Sequence, residues 1–167
     1  MKKIISMLIV ATLVFSLASC SGGSDGGTTA TETTTAAPGA DLGTTISAKV
    51  SEAFSTSEVT TETAYLESSN IVNVKVTYSS IDSLSLSVIT ARDAIHSCLL
   101  SVAPMTENFD ITFSIYFPLS DGDSTRVMYL KYTAETRHKL TEKNFVQSDV
   151  YKRADTFVSN EAIRDYL

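Results

Sequence analysis

Apolar and polar residues alternate without a break from Phe109 to Phe117. Phe109, Ile111, Phe113, Ile115 and Phe117 fall on one side, with Asp110, Thr112, Ser114 and Tyr116 on the other. This is the period of a half-buried strand, and Pro118 ends it or sits at a sheet edge. Asp121-Gly122 is a hairpin signal, so Arg126–Thr133 is predicted to be the return strand. Met128, Leu130 and Tyr132 lie on one of its sides, Val127 and Tyr129 on the other. Val72, Val74, Val76 and Tyr78 alternate with Asn73, Lys75 and Thr77, and Leu84, Leu86 and Val88 alternate with Ser85 and Ser87. With Ser79–Ser83 as a turn, these two runs predict a hairpin. Val59–Leu66 is ambiguous, but Val59, Thr61, Thr63 and Tyr65 favour a strand.

The helical period appears elsewhere. Ile46, Val50, Ala53 and Phe54 predict a short amphipathic helix over 45–55. Thr90-Ala91-Arg92-Asp93 has the form of a capping box, and behind it Ala91, Ile95, Cys98, Leu99 and Val102 share a face. Pro104 follows as a helix stop. A competing reading runs one helix from Ser83 to Ala103, since Leu84, Val88, Ala91 and Ile95 fit the same period. The strand-then-helix reading is preferred because three early serines make a poor helix. From Thr136 the chain is polar and helical in part. Val150, Ala154, Phe157 and Val158 share a helical face there, and Ala162, Ile163, Tyr166 and Leu167 dock a final turn. The sum is an α+β domain: an antiparallel sheet of four to five strands with helices packed on one face and the other face wet.

Glycine places the boundary of that domain. Six of the seven glycines lie at or before Gly43. Residues 21–43 are rich in Gly, Ser, Thr and Ala, and such a stretch buries too little apolar surface to fold. We therefore expect a tether over 20–43 and a single domain over 44–167. As a random coil the tether spans on the order of 25–30 Å.

The first residues form a different pattern. Met1-Lys2-Lys3 is a short positive segment, and Ile4–Phe15 is an apolar run of 12 residues. That run is below the roughly 20 residues a spanning helix needs and has the form of a secretory signal. Leu17-Ala18-Ser19-Cys20 resembles the lipobox of bacterial lipoproteins: an aliphatic residue, two small ones and a cysteine. The resemblance covers residues 1–20 alone. It implies a signal peptide over 1–19, a diacylglyceryl lipid on Cys20 and cleavage just before it. The partner it implies is a membrane, and the location is the extracytoplasmic side of the cell membrane or envelope. Ser21 stands where an aspartate would favour inner-membrane retention in a Gram-negative host.

Charge narrows the other partners. The net charge is −6; without Lys2 and Lys3 the chain keeps 11 basic and 19 acidic residues, a net of −8. An acidic chain repels phosphate backbones, so nucleic-acid binding is not expected. Peripheral adhesion through a basic patch is not expected either, on the same ground. If Cys20 carries lipid, Cys98 has no internal disulfide partner.

No catalytic motif of known spacing stands out, and no cofactor or metal site is expected. His96 reads as a surface residue, and His138, between Arg137 and Lys139, as a solvated basic turn rather than an anion site. Asp121-Gly122-Asp123-Ser124 reads as a turn, since calcium needs six to eight oxygens. Cys98 reads as buried packing. The surface left is the polar sheet face: Asn73, Lys75, Thr77, Ser85, Ser87, Asp110, Thr112, Ser114 and Tyr116. Among these, Lys75, Thr77, Thr112, Ser114 and Tyr116 are the expected interaction residues, facing an envelope protein or a glycan. The leading reading is a tethered, non-enzymatic binding module. The alternatives are a small envelope hydrolase using His96, Asp93 and a serine, or a phage-type superinfection-exclusion lipoprotein.

Overall fold

A computed structural model of the chain describes residues 38–119 and 123–167. The expected signal peptide and lipobox, most of the tether, and the Asp121-Gly122 turn lie outside them. The elements in order are α1 (Pro38–Ala53), β1 (Val59–Leu66), β2 (Ile71–Tyr78), α2 (Leu84–Val102), β3 (Asp110–Pro118), β4 (Ser124–Tyr132), α3 (Ala134–His138), α4 (Val150–Arg153) and β5 (Thr156–Ser159). Short 3-10 turns lie at Gln147–Asp149 and Glu161–Tyr166.

Helix α1 begins at Pro38, six positions ahead of the expected domain start at Thr44. Proline suits a first helical position, where its missing N–H would be unpaired anyway. Asp41 adds a negative charge to the first turn, where the helix dipole favours it. Ile46, Val50 and Phe54 are buried, and Leu42 packs against the same core. Residues 38–43, which glycine content assigned to the expected tether, are thus helical, and the apolar stripe of α1 reaches back to Leu42.

The fold class is α+β, with one sheet of five strands in the order β1-β2-β3-β4-β5. Three pairings are antiparallel, but β2 and β3 run parallel. The predicted hairpin after β2 is the reason for that difference. Leu84–Val88 is the start of α2 and no strand, so the chain crosses over through a helix, as parallel strands require. Thr90 is then a mid-helix residue. The N-cap is Ser83, in an extended conformation and without a side-chain capping bond. Val88, Ala91, Ile95, Cys98, Leu99 and Val102 are all buried along one stripe. Leu86, which imitated strand alternation, is instead 57% exposed. The other helical expectation to fail is the shared face from Val150 to Val158: α4 has four residues, and Phe157 and Val158 lie in β5.

Val72, Val74 and Val76 of β2, Ile111, Phe113, Ile115 and Phe117 of β3, and Met128, Leu130 and Tyr132 of β4 share one core with the buried stripes of α1 and α2. Alternation puts the polar residues of these strands on the opposite face. Between β1 and β2 the chain turns at Asn70, which has φ 52°, a left-handed conformation that asparagine tolerates. A register shift between Ile115 and Tyr116 bends the β3–β4 pair, and Val127 is buried there beside Met128.

Two polar clusters fix the C-terminal third. At the N-terminus of α3, Asp155 Oδ2 accepts from Thr133 N–H at 2.7 Å and from the Thr133 hydroxyl at 3.1 Å. Its Oδ1 accepts from the Thr136 hydroxyl at 2.9 Å. Burial raises the Asp155 pKa, but the bonds from Thr133 and Thr136 outweigh it and leave the group below its ordinary value. The folded pKa lies under the unfolded one, about 3.9. The network's contribution is thus present above the unfolded value and lost as pH falls through the folded value. Asp155→Asn is therefore expected to lower the urea midpoint at pH 7 and to lose that deficit near pH 2. Equal deficits at both pH values would break the assignment. The second cluster is Arg137, described with the site residues below.

Candidate functional site

The sheet register assembles the open face row by row. Lys75 lies beside Ser114, Thr77 beside Tyr116, and Asn73 beside Thr112. The five expected interaction residues therefore share one face on two neighbouring strands. The central row continues to both edges, from Glu62 through Lys75, Ser114 and Tyr129 to Val158. Ser85 and Ser87 do not belong to this face: both are in α2, and Ser87 is buried. A hairpin over 72–88 would have placed them on the sheet, but α2 takes its second arm.

The face is cross-linked by its own side chains. Lys75 Nζ lies 2.8 Å from Glu62 Oε1 and 5.8 Å from the centre of the Tyr116 ring. Arg126 stands over Tyr129 at 5.7 Å. Lys131 Nζ is 2.8 Å from Asp110 Oδ2, while Asp110 Oδ1 accepts from Ala134 N–H at 3.0 Å. The hydrogen bond to Glu62 raises the Lys75 pKa, and the bond to Asp110 does the same for Lys131. Thr112 is buried, and its hydroxyl donates to Asn73 Oδ1 at 2.7 Å. It positions Asn73 rather than meeting solvent. The face thus offers half-exposed ammonium and guanidinium groups beside tyrosine rings, with carboxylates between them.

Sequence reasoning omitted Glu62, Arg126, Tyr129 and Lys131 from this face. Tyr129 and Lys131 alternate with Met128 and Leu130, so their side was readable. Glu62 was not, because nothing local says which strand β1 will join.

The histidines are tied to backbone. His96 Nε2 donates to Phe145 O at 3.0 Å, and its ring stacks on Phe145 with centroids 4.9 Å apart. Asp93 Oδ1 accepts from both Nε and Nη2 of Arg92. Among the described residues no hydrogen bond links His96 to Asp93 or to a serine, so the pair needed for an activated nucleophile is not assembled.

The Arg137–Lys139 cluster is not an anion site either. Arg137 is fully buried, and its Nη1 donates to Val102 O at 2.6 Å and to Met105 O at 3.2 Å. Its Nη2 donates to Glu107 O at 2.6 Å, and the guanidinium carbon lies 3.9 Å from the Phe109 ring centre. His138 Nε2 is 3.0 Å from Met105 O, and Lys139 pairs with Glu135 at 2.6 Å. Cys98 is buried, and burial pushes its thiol up to about 12, which makes it unreactive. Among the described residues, no group of three or more His, Cys, Asp or Glu is placed to hold a metal ion, and no helix is long and apolar enough to cross a membrane.

Among the described residues, these features define an α+β domain whose sheet carries a charged, tyrosine-bearing face opposite its apolar core. No protein-family model, curated protein or solved structure matches the chain.

Proposed function

We propose that this protein is a lipid-anchored, extracytoplasmic binding module that presents the open face of its sheet to an envelope protein or glycan. The observation that carries the binding role is the cluster of Lys75, Tyr116, Arg126 and Tyr129 on one face of three neighbouring strands. Tyrosine offers a rigid amphipathic ring at low entropic cost, and tyrosine and arginine are enriched where proteins meet partners. The anchoring half of the proposal rests on Leu17-Ala18-Ser19-Cys20 and the apolar run before it. A lipid on Cys20 would supply attachment that an acidic chain does not obtain from surface charge.

The test is crosslinking and recovery from intact envelopes, with the full-length wild-type chain beside a Tyr116→Ala/Tyr129→Ala variant. A specific partner recovered with wild type is expected to fall by tenfold or more in the variant, roughly the effect of removing one or two interface anchors. Equal recovery with both chains, or no specific partner with either, would end the binding-face reading.

A further inference from the structure

Among the described residues, β1 and β5 are the edges of the sheet, and they differ. β5 has four residues, and a short strand is one way of blunting an edge. β1 has eight residues in unbroken register with β2 and contains no proline. Ser79 N–H donates to Glu58 O at 2.8 Å, next to the Val59–Tyr78 pair. That bond sets the phase of the ladder. Thr60, Glu62, Ala64 and Leu66 turn their backbone groups toward β2. Thr61, Thr63 and Tyr65 turn theirs to the free edge.

We propose that β1 pairs antiparallel with β1 of a second copy of this chain, about a two-fold axis at Thr63, joining two sheets into one. The outward groups repeat at every second residue, so a two-fold at Thr63 pairs Thr63 with Thr63 and Thr61 with Tyr65 in both directions. Every pair that must exchange hydrogen bonds then has outward-facing groups on both strands. The side-chain pairs also agree. Thr63 faces its own copy, and Thr61 meets Tyr65; such Thr and aromatic cross-strand pairs are favourable. Glu62 lies opposite Ala64 rather than opposite Glu62, and its charge is already matched by Lys75 at 2.8 Å. No like charges face each other across the axis. A two-fold at Glu62 would also pair outward-facing groups, Thr61 with Thr63, but it would set the two Glu62 carboxylates directly opposite each other, and like charges so placed disfavour that register.

Strand pairing alone covers less than the roughly 800 Å² per partner of a standard interface, and α1, which lies beside β1, is positioned to add to it. It lies against β1 so closely that a Cβ at Gly43 would come to 3.4 Å from Tyr65 Cβ. An open groove of about 600 Å³ runs between α1 and β1, lined by Gly43, Ser47, Ser51, Thr63 and Tyr65 among others. The copy's Thr61, Thr63 and Tyr65 project to this side of the joined sheet. Small side chains on both α1 helices leave room for them.

Two variants of the full-length chain test the proposal. With Thr63→Cys, the two-fold sets the new thiols within disulfide reach, and a reductant-sensitive dimer is expected in intact envelopes. Thr156→Cys on β5 is expected to give none, and buried Cys98 adds no background. Thr63→Pro removes an N–H that points away from β2, so the fold is expected to persist while the detergent-solubilised dimer dissociates about 100-fold more easily, the loss of both central bonds. Absence of the Thr63→Cys crosslink, or a folded Thr63→Pro chain that dimerises as wild type does, would overturn it. An extended segment of another protein as the true occupant of the edge would leave the solubilised chain monomeric, which also overturns it. The crosslink decides even where proline proves intolerable.

Discussion

Replacing Arg137 by alanine is expected to cost about 3–5 kcal/mol of folding stability, the largest effect of any single polar substitution in the domain. The α2 helix leaves its last carbonyls without intrahelical donors. Arg137 reaches across from α3 and answers Val102 directly, then Met105 and Glu107 in the loop beyond. A cation at that end also meets the negative pole of the helix dipole. Burial lowers the guanidinium's pKa, with the Glu107 and Asp110 carboxylates opposing, yet a guanidinium keeps its charge. Alanine would strip Glu107 O of its donor, leave Val102 O with the Met105 N–H alone and Met105 O with His138 Nε2 alone, and uncover the Phe109 ring. Arg137→Lys retains the charge but not the planar fork, so it is expected to recover less than half of the loss. Urea unfolding of both variants measures this; an unchanged midpoint in Arg137→Ala would deny the residue its role as the latch between α2 and α3.

The second large effect concerns location rather than stability. Under the proposed anchoring, Cys20→Ser is expected to move the protein from the membrane fraction to the soluble fraction and to abolish labelling by an alkyne fatty acid. Two acyl chains hold a protein stably where one is marginal, so the change is expected to be nearly complete. A Cys20→Ser chain that stayed in membranes with its leader uncut would make the apolar run an anchor in its own right. The folded domain is expected to keep the same urea midpoint in either case, since its core starts with α1.

Much of the fold was legible because most of its elements have a single period. β2, β3 and β4 alternate cleanly over valine, isoleucine, phenylalanine and tyrosine, and each is where alternation places it. Residues 83–90 were misread because two periods coexist there. Leu84, Leu86 and Val88 alternate, while Leu84, Val88, Ala91 and Ile95 repeat at helical spacing. Local propensity favoured the strand, with serine weak in helices. The deciding term is tertiary: extending the helix buries Val88 in the core at the cost of exposing Leu86 and Ile89, 57% and 41% accessible. The candidate face was half legible for the same reason. Residues within one strand could be assigned to a side, but which strands stand next to each other follows from the β2–α2–β3 crossover. The role of Arg137 was hidden altogether, since its neighbours His138 and Lys139 are exposed and a basic triplet looks alike whether its first member points in or out.

The strict agreement of strand order with chain order bears on how the domain assembles. β1 with β2, and β3 with β4, meet across short connections, so each pair closes at small entropic expense. The β2–β3 seam is different: it joins positions about 40 apart in the chain, such as Val72 and Thr112. In the chain, all of α2 lies between those two strands. The rate at which the domain reaches its native state is therefore expected to be set at that seam, which joins the most distant strand partners of the sheet. Substitutions on the buried stripe of α2 are expected to slow folding, while changes in β5, which joins at the far edge, mainly speed unfolding.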